Sequence, residues 1–561
     1  MIYQFSAQRT LDTLVAQAQG PFEAWTFDDR AARRQAEEQL AARGISARIR
    51  SAYKPLLHFF LEEARPGFTA AHILWPHHEA AVPNRFLLET YPLAALYPDA
   101  TMTFEKGASG TCYQVRLTYP DGEEQHDVLA PNRLHADHVG EQVLSPTGWL
   151  IDDAGAVRLE TDYEQLFHGA MSAVTAHDWG DQEPYFEELN ISATVPAADF
   201  DLGYDDEVVS LVEALHEDLY FSCLEFFQRH SGRDLGDRHL QPGQIVPEVQ
   251  QGDTAQISVT MRPYHTADRG GVAQPLEQAT APLSIAEIGA ELEKIGGDAF
   301  RTTSRAGREV LAHHHAGRGK PVMISAGQHA NETTPVVGAL RAAHRLAREE
   351  ADFVISPMEN PDGYALHGRL AALTPRHMLH AARYTALGDD LEYRATPRAL
   401  YEKAIRQEAE QRSGALLHIN LHGYPAHEWT RPMTGYIPRG FAMWTVPKGF
   451  FLIMRHLPDW AGVARQLTQD VTQRLMDVPG LADFNKRQID LYRLHAGETG
   501  FEMINGFPCY IHEDDRHSVP LTLITEYPDE TLYGAAFIAG HDAQMHTVLA
   551  AHDAWQRLGS V

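Results

Sequence analysis

Four short apolar runs in the second half of the chain constrain its fold more than any other sequence feature. Each run is rich in Val, Ile, Leu, Met or Phe and has the length of a buried strand. Segments with apolar residues at helical spacing lie between several of them. Strands that alternate with helices predict an α/β fold, with a mixed sheet covered by helices on both faces. The runs begin at Pro321, Asp352, Ala415 and Leu521.

The length of the chain predicts more than one domain. Its 561 residues exceed what a single ordinary hydrophobic core contains. The stretch 262–283 carries Gly270 and Gly271, scattered prolines and weak periodicity, which is typical of a linker. We therefore predict an N-terminal α+β region over residues 1–280 and a second, α/β domain over residues 281–561.

The N-terminal region gives weaker signals, and we predict one or two α+β subdomains in it. Residues 20–65 look helical, with Gly44 as a stop signal. Residues 100–160 alternate between strand patterns and turn signals. Residues 206–229 have apolar residues at helical spacing, and a strand beginning at Gln256 closes the region.

The charge and cysteine content exclude several classes of protein. The formal net charge is −29, from 47 Lys and Arg against 76 Asp and Glu, which disfavours nucleic acids and anionic membranes as partners. No apolar run is long enough to predict a transmembrane helix. The three cysteines are isolated, which argues against a disulfide framework, and we read no secretion signal. We therefore expect a cytoplasmic protein; the sequence does not indicate its oligomeric state.

Histidine and glutamate side chains follow three of the four predicted strands. His329 and Glu332 come after the first strand, His422 lies at the end of the third, and Glu526 lies at the end of the fourth. Open α/β sheets bind ligands beyond the carboxyl ends of their strands, so we expect these residues to meet. Two histidines and one glutamate form an established catalytic zinc site that leaves a position for water. The sequence predicts one Zn²⁺ ion held by His329, Glu332 and His422.

Each of these residues also has a structural interpretation. A His-x-x-Glu pair arises often by chance, and such a pair can lie on the surface. His422 could be a buried core histidine, and His418 in the same strand is a rival ligand. Glu526 could cap a helix or pair with an arginine. The joint placement at strand ends favours the metal site, whereas the His-x-Asp-His segment at 135–138 lacks a third ligand placed by a strand end.

Longer stretches around these residues resemble the zinc metallocarboxypeptidase family, the group that includes carboxypeptidase A. The resemblance covers about residues 281–561. It rests on His-x-x-Glu after a buried strand, on the Asn-Pro-Asp-Gly turn at 360–363, and on a histidine at a later strand end. A glutamate on the last strand, followed by Tyr533 and Gly534, completes it. The matching segments are QHANETTPVVGALRAA, MENPDGYALHGRL, INLHGYP and LITEYPDETLYG.

The resemblance implies a metallocarboxypeptidase-like fold and the hydrolysis of a peptide or amide bond by metal-activated water. Glu526 would act as the general base and then as the acid. The family places an arginine after the Asn-Pro-Asp-Gly turn to stabilise the oxyanion, and Arg369 is the matching candidate, with a surface arginine as the alternative. Tyr510 loosely matches a mobile substrate-binding tyrosine of the family, and its alternative is a core aromatic residue.

One segment departs from the family pattern. The resemblance places an Asn-Arg pair that grips the terminal carboxylate of the substrate, but the segment 388–394 has Glu392 and Tyr393 there, unless the segments are misaligned. Glu392 would repel an anion and favour an ammonium group. An ordinary C-terminal exopeptidase is therefore doubtful, although Arg394 or Arg383 could restore the grip from another direction.

We therefore predict a zinc metallopeptidase that acts on a peptide or a small amide. One alternative is a zinc amidase or deacylase of a small molecule. Another is a binding protein that keeps the fold without the chemistry, against which the intact Glu526 argues. The position of residues 1–280 suggests that they shape or cover the cleft.

Overall fold

The computed structural model describes residues 1–265, 267–268, 273–394, 400–516 and 518–559 and shows a mixed α/β protein. Gly270 and Gly271 of the predicted linker lie outside the described residues. Among the described residues, no helix has both the length and the apolar character needed to cross a membrane.

The second half of the chain is built on one nine-stranded sheet. Its strands are β17 (Asp298–Thr303), β18 (Glu309–His315), β19 (Arg318–Ser325), β20 (Ala351–Ser356), β21 (Leu417–Tyr424), β22 (Phe451–His456), β23 (Glu502–Ile504), β24 (Phe507–Glu513) and β25 (Leu521–Pro528). Its helices are α8 (Ile285–Ile295), α9 (Thr334–Arg348), α10 (Pro361–Ala371), α11 (Lys403–Ser413), α12 (Ala461–Leu475), α13 (Leu481–Ala496) and α14 (Gly534–Arg557). Strands β1–β16 and helices α1–α7 precede them.

The four predicted strands form the parallel centre of this sheet. The strand order is β17-β18-β20-β19-β21-β25-β22-β24-β23, and the neighbours from β20 to β25 run parallel. Side chains of one strand alternate between two cores: Val322 and Ile324 pack with α8, α9, α12 and α14, whereas Met323 packs with α11. Helices therefore cover both faces, which confirms the α/β prediction.

The described residues of the N-terminal half form three four-stranded sheets and two small two-stranded ones. Its strands are β1 (Tyr3–Ala7), β2 (Phe22–Thr26), β3 (Ala47–Ser51), β4 (Ala70–His77), β5 (Thr101–Ser109), β6 (Cys112–Tyr119), β7 (Gly122–Leu129), β8 (Asn132–Ala136), β9 (Gln142–Pro146), β10 (Gly148–Asp152), β11 (Gly155–Leu159), β12 (Glu188–Val195), β13 (Phe200–Asp201), β14 (Val208–Val209), β15 (Gln244–Gln251) and β16 (Ala255–Arg262). Its helices are α1 (Thr10–Gln17), α2 (Arg30–Ala42), α3 (Pro55–Glu62), α4 (Arg85–Leu88), α5 (Leu93–Leu96), α6 (Asp162–Ala176) and α7 (Leu211–His230).

The helical prediction for residues 20–65 is wrong in part. This stretch folds as β2, α2, β3 and α3, and the two strands pair in parallel. The error has a physical cause: β3 reads ARIRS, and its arginines hide the alternation, although Ile49 is buried. The predicted strands of residues 100–160, the helix α7 and the strand β16 are all present.

Buried contacts join the two halves of the chain. Each sheet contains strands either from before residue 280 or from after it. One hydrophobic cluster, however, combines residues of the N-terminal half with Leu366, Leu370 and Trp429 of the second half. Lys54 donates to Glu428 at 2.5 Å, and neither side chain is more than 1% exposed. The division into two domains stays a prediction, since the core continues across it.

Replacing Lys54 by Met tests this junction. The change leaves Glu428 buried without its cation, and we expect the free energy of unfolding to fall by about 3–5 kcal/mol. Urea denaturation measures it. The double change Lys54→Met with Glu428→Gln should recover most of the loss, because Gln still accepts from Tyr436. A single variant that unfolds at the wild-type midpoint would contradict the role of this ion pair.

Candidate metal centre

The structure brings the three predicted ligands together near the carboxyl ends of β19 and β21. His329 and Glu332 lie in the turn between β19 and α9, and His422 lies within β21. Nδ1 of His329 is 2.9 Å from Oε1 of Glu332, and Nδ1 of His422 is 3.0 Å from its Oε2. The two Nδ1 atoms are 3.0 Å apart, and all three residues are buried.

These residues fit a metal ion such as Zn²⁺. Ligand atoms held at about 2.0–2.2 Å from a tetrahedral ion lie about 3.3–3.6 Å from one another, a few tenths of an ångström more than the 2.9–3.0 Å observed. Burial lowers the pKa of His422, which favours the neutral ring that a ligand needs. At His329, burial and the charge of Arg383 are outweighed by Glu332 and Asp390, which raise its pKa. Burial would raise the pKa of Glu332, but His329 and Arg383 bring it well below its ordinary value. The donor set therefore has the chemistry that a divalent cation requires.

Further groups orient the ligands. Oδ1 of Asp390 lies 3.4 Å from Nε2 of His329, and the backbone N–H of Gly423 donates to Glu332 at 3.0 Å. Metal-ligating histidines commonly bond a carboxylate through the second ring nitrogen. Sequence reasoning missed Asp390, although it lies in the 388–394 segment that departs from the family pattern.

Glu526 lies beside the ligands. It is the direct partner of His422 in the parallel pairing of β25 with β21, and it lines a cleft of about 200 Å³ with His329 and His422. Burial and the nearby charge of Glu332 raise its pKa well above the ordinary value, against the opposing charges of Arg383 and Lys448. In its ionised form, a carboxylate in this position can accept a proton from a water in the cleft.

The expectation for Arg369 is corrected by its contacts. Its guanidinium donates to Glu188 at 3.0 and 3.1 Å and lies 3.2 Å from Glu248, both in the N-terminal half. It is not among the described residues that line the cleft. Arg383 does line the cleft, and its Nη1 donates to Glu332 at 2.6 Å. Among the described arginines that line the cleft, Arg383 is therefore the one that donates to a predicted ligand.

Two of the predicted substrate-binding residues do not line the cleft. Arg394 is buried and donates to Asp389 and Glu402. Tyr510 on β24 is 47% exposed, and its ring stacks on that of His512. The predicted roles of Arg394 and Tyr510 in substrate binding stay predictions, because neither is among the described residues that line the cleft.

Glu392 does line the cleft, and its carboxylate pairs with two arginines. It accepts hydrogen bonds from Arg406 at 3.1 Å and from Arg455. Both arginines are shared with other carboxylates, Arg406 with Glu359 and Arg455 with Asp514. The expectation that Glu392 repels an anionic substrate and favours an ammonium group therefore stays a prediction.

Sequence reasoning also missed a buried lysine next to Glu526. The ammonium of Lys448 lies 4.6–5.8 Å from the centres of five aromatic rings, and its Nζ donates to the carbonyl of Met443. Burial lowers the pKa of Lys448 to about 7, against the charge of Glu526. The sequence signal that could have indicated this site is that two of these five aromatic residues, Trp444 and Phe451, lie within four positions of the lysine. The rings belong to Tyr424, Trp444, Phe451, Tyr492 and Phe501.

A second cluster of metal-binding residue types fits an ion-pair network better than a cation. Asp137, His138 and Glu225 lie close together, but Arg439 donates to Asp137 at 2.6 Å and lies 2.8 Å from Glu225. Arg431 also donates to Glu225, at 2.7 Å. The arginines already supply the positive charge that these carboxylates need.

Comparison with known proteins gives only distant likenesses. No protein-family model matches the chain, and no curated protein matches it. A metallo-carboxypeptidase from Burkholderia cenocepacia is 16% identical, with 48% of this chain and 70% of that chain covered and a TM-score of 0.31. Carboxypeptidase A from Helicoverpa armigera is 12% identical, with 55% and 90% covered and a TM-score of 0.29. At these values the likenesses carry no conclusion about what this chain binds or cleaves.

Replacing Asp390 by Asn tests the orienting carboxylate. The amide cannot accept from His329 as strongly, and we expect the affinity for Zn²⁺ to fall about 10- to 100-fold. Competition against a chelator of known affinity measures it. Glu526→Gln, in the same cleft but not a ligand, is the matched control and should bind zinc as the wild type does. Equal zinc affinity in Asp390→Asn and the wild type would contradict this role.

Replacing Lys448 by Met tests whether burial lowers the pKa of this lysine. Between about pH 7 and the ordinary lysine pKa of 10.5, the unfolded chain binds a proton that the folded chain does not, so the wild type gains stability as pH rises. The Met variant lacks this gain, and the difference should change by up to about 1.4 kcal/mol per pH unit. Denaturant unfolding from about pH 7 to pH 9 measures it. Lys486→Met at an exposed site controls for the lost charge, and parallel pH profiles of wild type and Lys448→Met would refute the assignment.

Proposed function

We propose that this chain is a zinc-dependent metallopeptidase that hydrolyses a peptide bond or a small amide. The observation that carries the proposal is the pairing of His422 with Glu526 across neighbouring strands, with His329 and Glu332 at hydrogen-bond distance from His422. A ligand set suited to Zn²⁺ and a carboxyl group suited to proton transfer thus share one cleft. The resemblance of the surrounding segments to metallocarboxypeptidases supports the same reaction.

The residues at the cleft have separate roles in the proposed hydrolysis. Zn²⁺ held by His329, Glu332 and His422 would acidify water and polarise the scissile carbonyl. Glu526 takes the proton of the attacking water and passes it to the leaving nitrogen. Arg383 faces the cleft as a fixed cation and stabilises the charge that develops on the carbonyl oxygen.

The size of the cleft favours a small substrate or the end of a peptide. Its volume of about 200 Å³ lies below the roughly 300–1,000 Å³ of typical ligand pockets. A zinc amidase or deacylase of a small molecule is therefore the second candidate. Both candidates use the same metal and the same general base, and they differ only in the substrate.

Replacing Glu526 by Gln tests the proposal. Gln keeps the shape of the side chain but cannot accept the proton, so we expect the hydrolysis rate to fall about 10²- to 10⁴-fold while zinc stays bound. Mass spectrometry of a panel of peptides and N-acylated amino acids measures the rate, and metal analysis measures the zinc. Glu498→Gln at an exposed site is the matched control. Full activity in Glu526→Gln, or no hydrolysis by the wild type, would overturn the proposal and favour a binding protein.

A further inference from the structure

We infer that Arg238, contributed by the N-terminal half of the chain, binds a carboxylate of the substrate in the cleft of the candidate metal centre. The inference rests on the proposed function for the statement that the ligand is a substrate. The binding of a carboxylate by Arg238 can be tested separately, because it needs no hydrolysis.

Arg238 is held in place by the loop that connects α7 to β15. The side chain of Gln228 donates to the carbonyl of Asp237 at 2.8 Å and accepts from the N–H of Gly236 at 3.1 Å. On the other side of Arg238, the side chain of Gln241 donates to Asp389 at 2.9 Å. The loop is therefore tied both to its own helix and to the catalytic half, and it delivers Arg238 to the cleft wall.

The guanidinium of Arg238 has its faces packed and its N–H groups free. It lies 4.9 Å from the ring centre of Tyr393 and 5.7 Å from that of Phe441. Within the part of the chain that the structure describes, it forms no hydrogen bond, and the one carboxylate within 4.0 Å is Asp390, at 3.6 Å. About 33% of its side chain is exposed. Stacking on aromatic rings orients a guanidinium without using its donors, which remain available to a planar anion.

The other arginines of the cleft are already engaged. Arg383 donates to Glu332 and Arg455 donates to Glu392. Among the described residues that line the cleft, Arg238 is therefore the arginine without a hydrogen-bonded carboxylate. An arginine with free donors in a cleft favours a carboxylate ligand, which a guanidinium binds through two parallel hydrogen bonds.

The position of Arg238 relates this carboxylate to the candidate metal centre. Asp390 lies between the two, with Oδ1 at 3.4 Å from His329 and Oδ2 at 3.6 Å from Arg238. A carboxylate bound to Arg238 is therefore one side chain away from a metal ligand. The substrate class is a peptide or amide with a carboxylate near the scissile bond, either at its C-terminus or on an Asp or Glu side chain.

Substrate panels with and without carboxylates test the inference. The probes are N-acetyl dipeptides in three forms: with a free C-terminus, with an amidated C-terminus, and with an amidated C-terminal Asp or Glu. For Arg238→Gln we expect kcat/KM to fall about 10- to 100-fold on carboxylate-bearing probes and by less than about twofold on the others. Arg238→Lys should fall between the two, because it keeps the charge but not the planar pair of donors. Arg229→Gln, which removes an exposed arginine of the same half, controls for net charge.

The pattern of losses decides between outcomes. A loss confined to free C-termini identifies the terminal carboxylate, and a loss on amidated Asp or Glu probes identifies the side-chain carboxylate; both support the inference. An equal loss on all probes overturns the inference, because it indicates a structural effect of the substitution. No loss on any probe also overturns it, because Arg238 then does not contact a substrate carboxylate.

A binding measurement separates this inference from the proposed function. Calorimetry on zinc-loaded Glu526→Gln protein, with and without Arg238→Gln, gives the affinity for the free-acid and amidated probes. If the wild type hydrolyses nothing, a loss of at least about tenfold in carboxylate affinity with Arg238→Gln still supports the assignment. No binding of any carboxylate probe, or equal binding by both proteins, overturns it whatever the catalytic result.

Discussion

The parallel pairing of β21 with β25 is the constraint on which the site depends. It places His422 directly beside Glu526, so the distance between a candidate metal ligand and the proposed proton acceptor is set by backbone hydrogen bonds rather than by flexible loops. A slip of one residue in this register would turn one of the two side chains to the opposite face of the sheet. Both strands are buried along their whole length, which fixes the register strongly.

Buried charges are compensated in pairs around this site. Glu332 accepts from Arg383, and Asp390 lies within reach of both His329 and Arg238. An ion in a low-dielectric interior is tolerated only with partners of opposite charge. The cleft therefore combines cations and carboxylates at short distance. Arg238, whose guanidinium forms no hydrogen bond among the described residues, thus indicates that the ligand of the cleft carries a negative charge.

Sequence patterns predicted the parts of the molecule that depend on local order. The apolar runs predicted the central strands, and their ends predicted the places of His329 and His422. The contacts of single polar side chains could not be predicted in the same way: Arg369 pairs with Glu188, 181 residues away. In residues 20–65, arginines on the exposed side of β3 masked a strand that its parallel partner β2 and the packing of Ile49 against α2 stabilise. Local periodicity thus allowed the central strands to be predicted. Which charged side chains face the cleft depends on ion pairs between residues far apart in the sequence, and local patterns do not show these.

The charge pairs that join the halves constrain how the protein can diverge. His427 bonds Glu213 at 2.9 Å, Glu428 bonds Lys54 at 2.5 Å, and Arg431 bonds Glu225. Neither half can change one of these groups alone without burying an uncompensated ion in the other. A substitution on one side of this junction therefore needs a matching substitution on the other, so the N-terminal half cannot be replaced without also altering its charged partners in the second half.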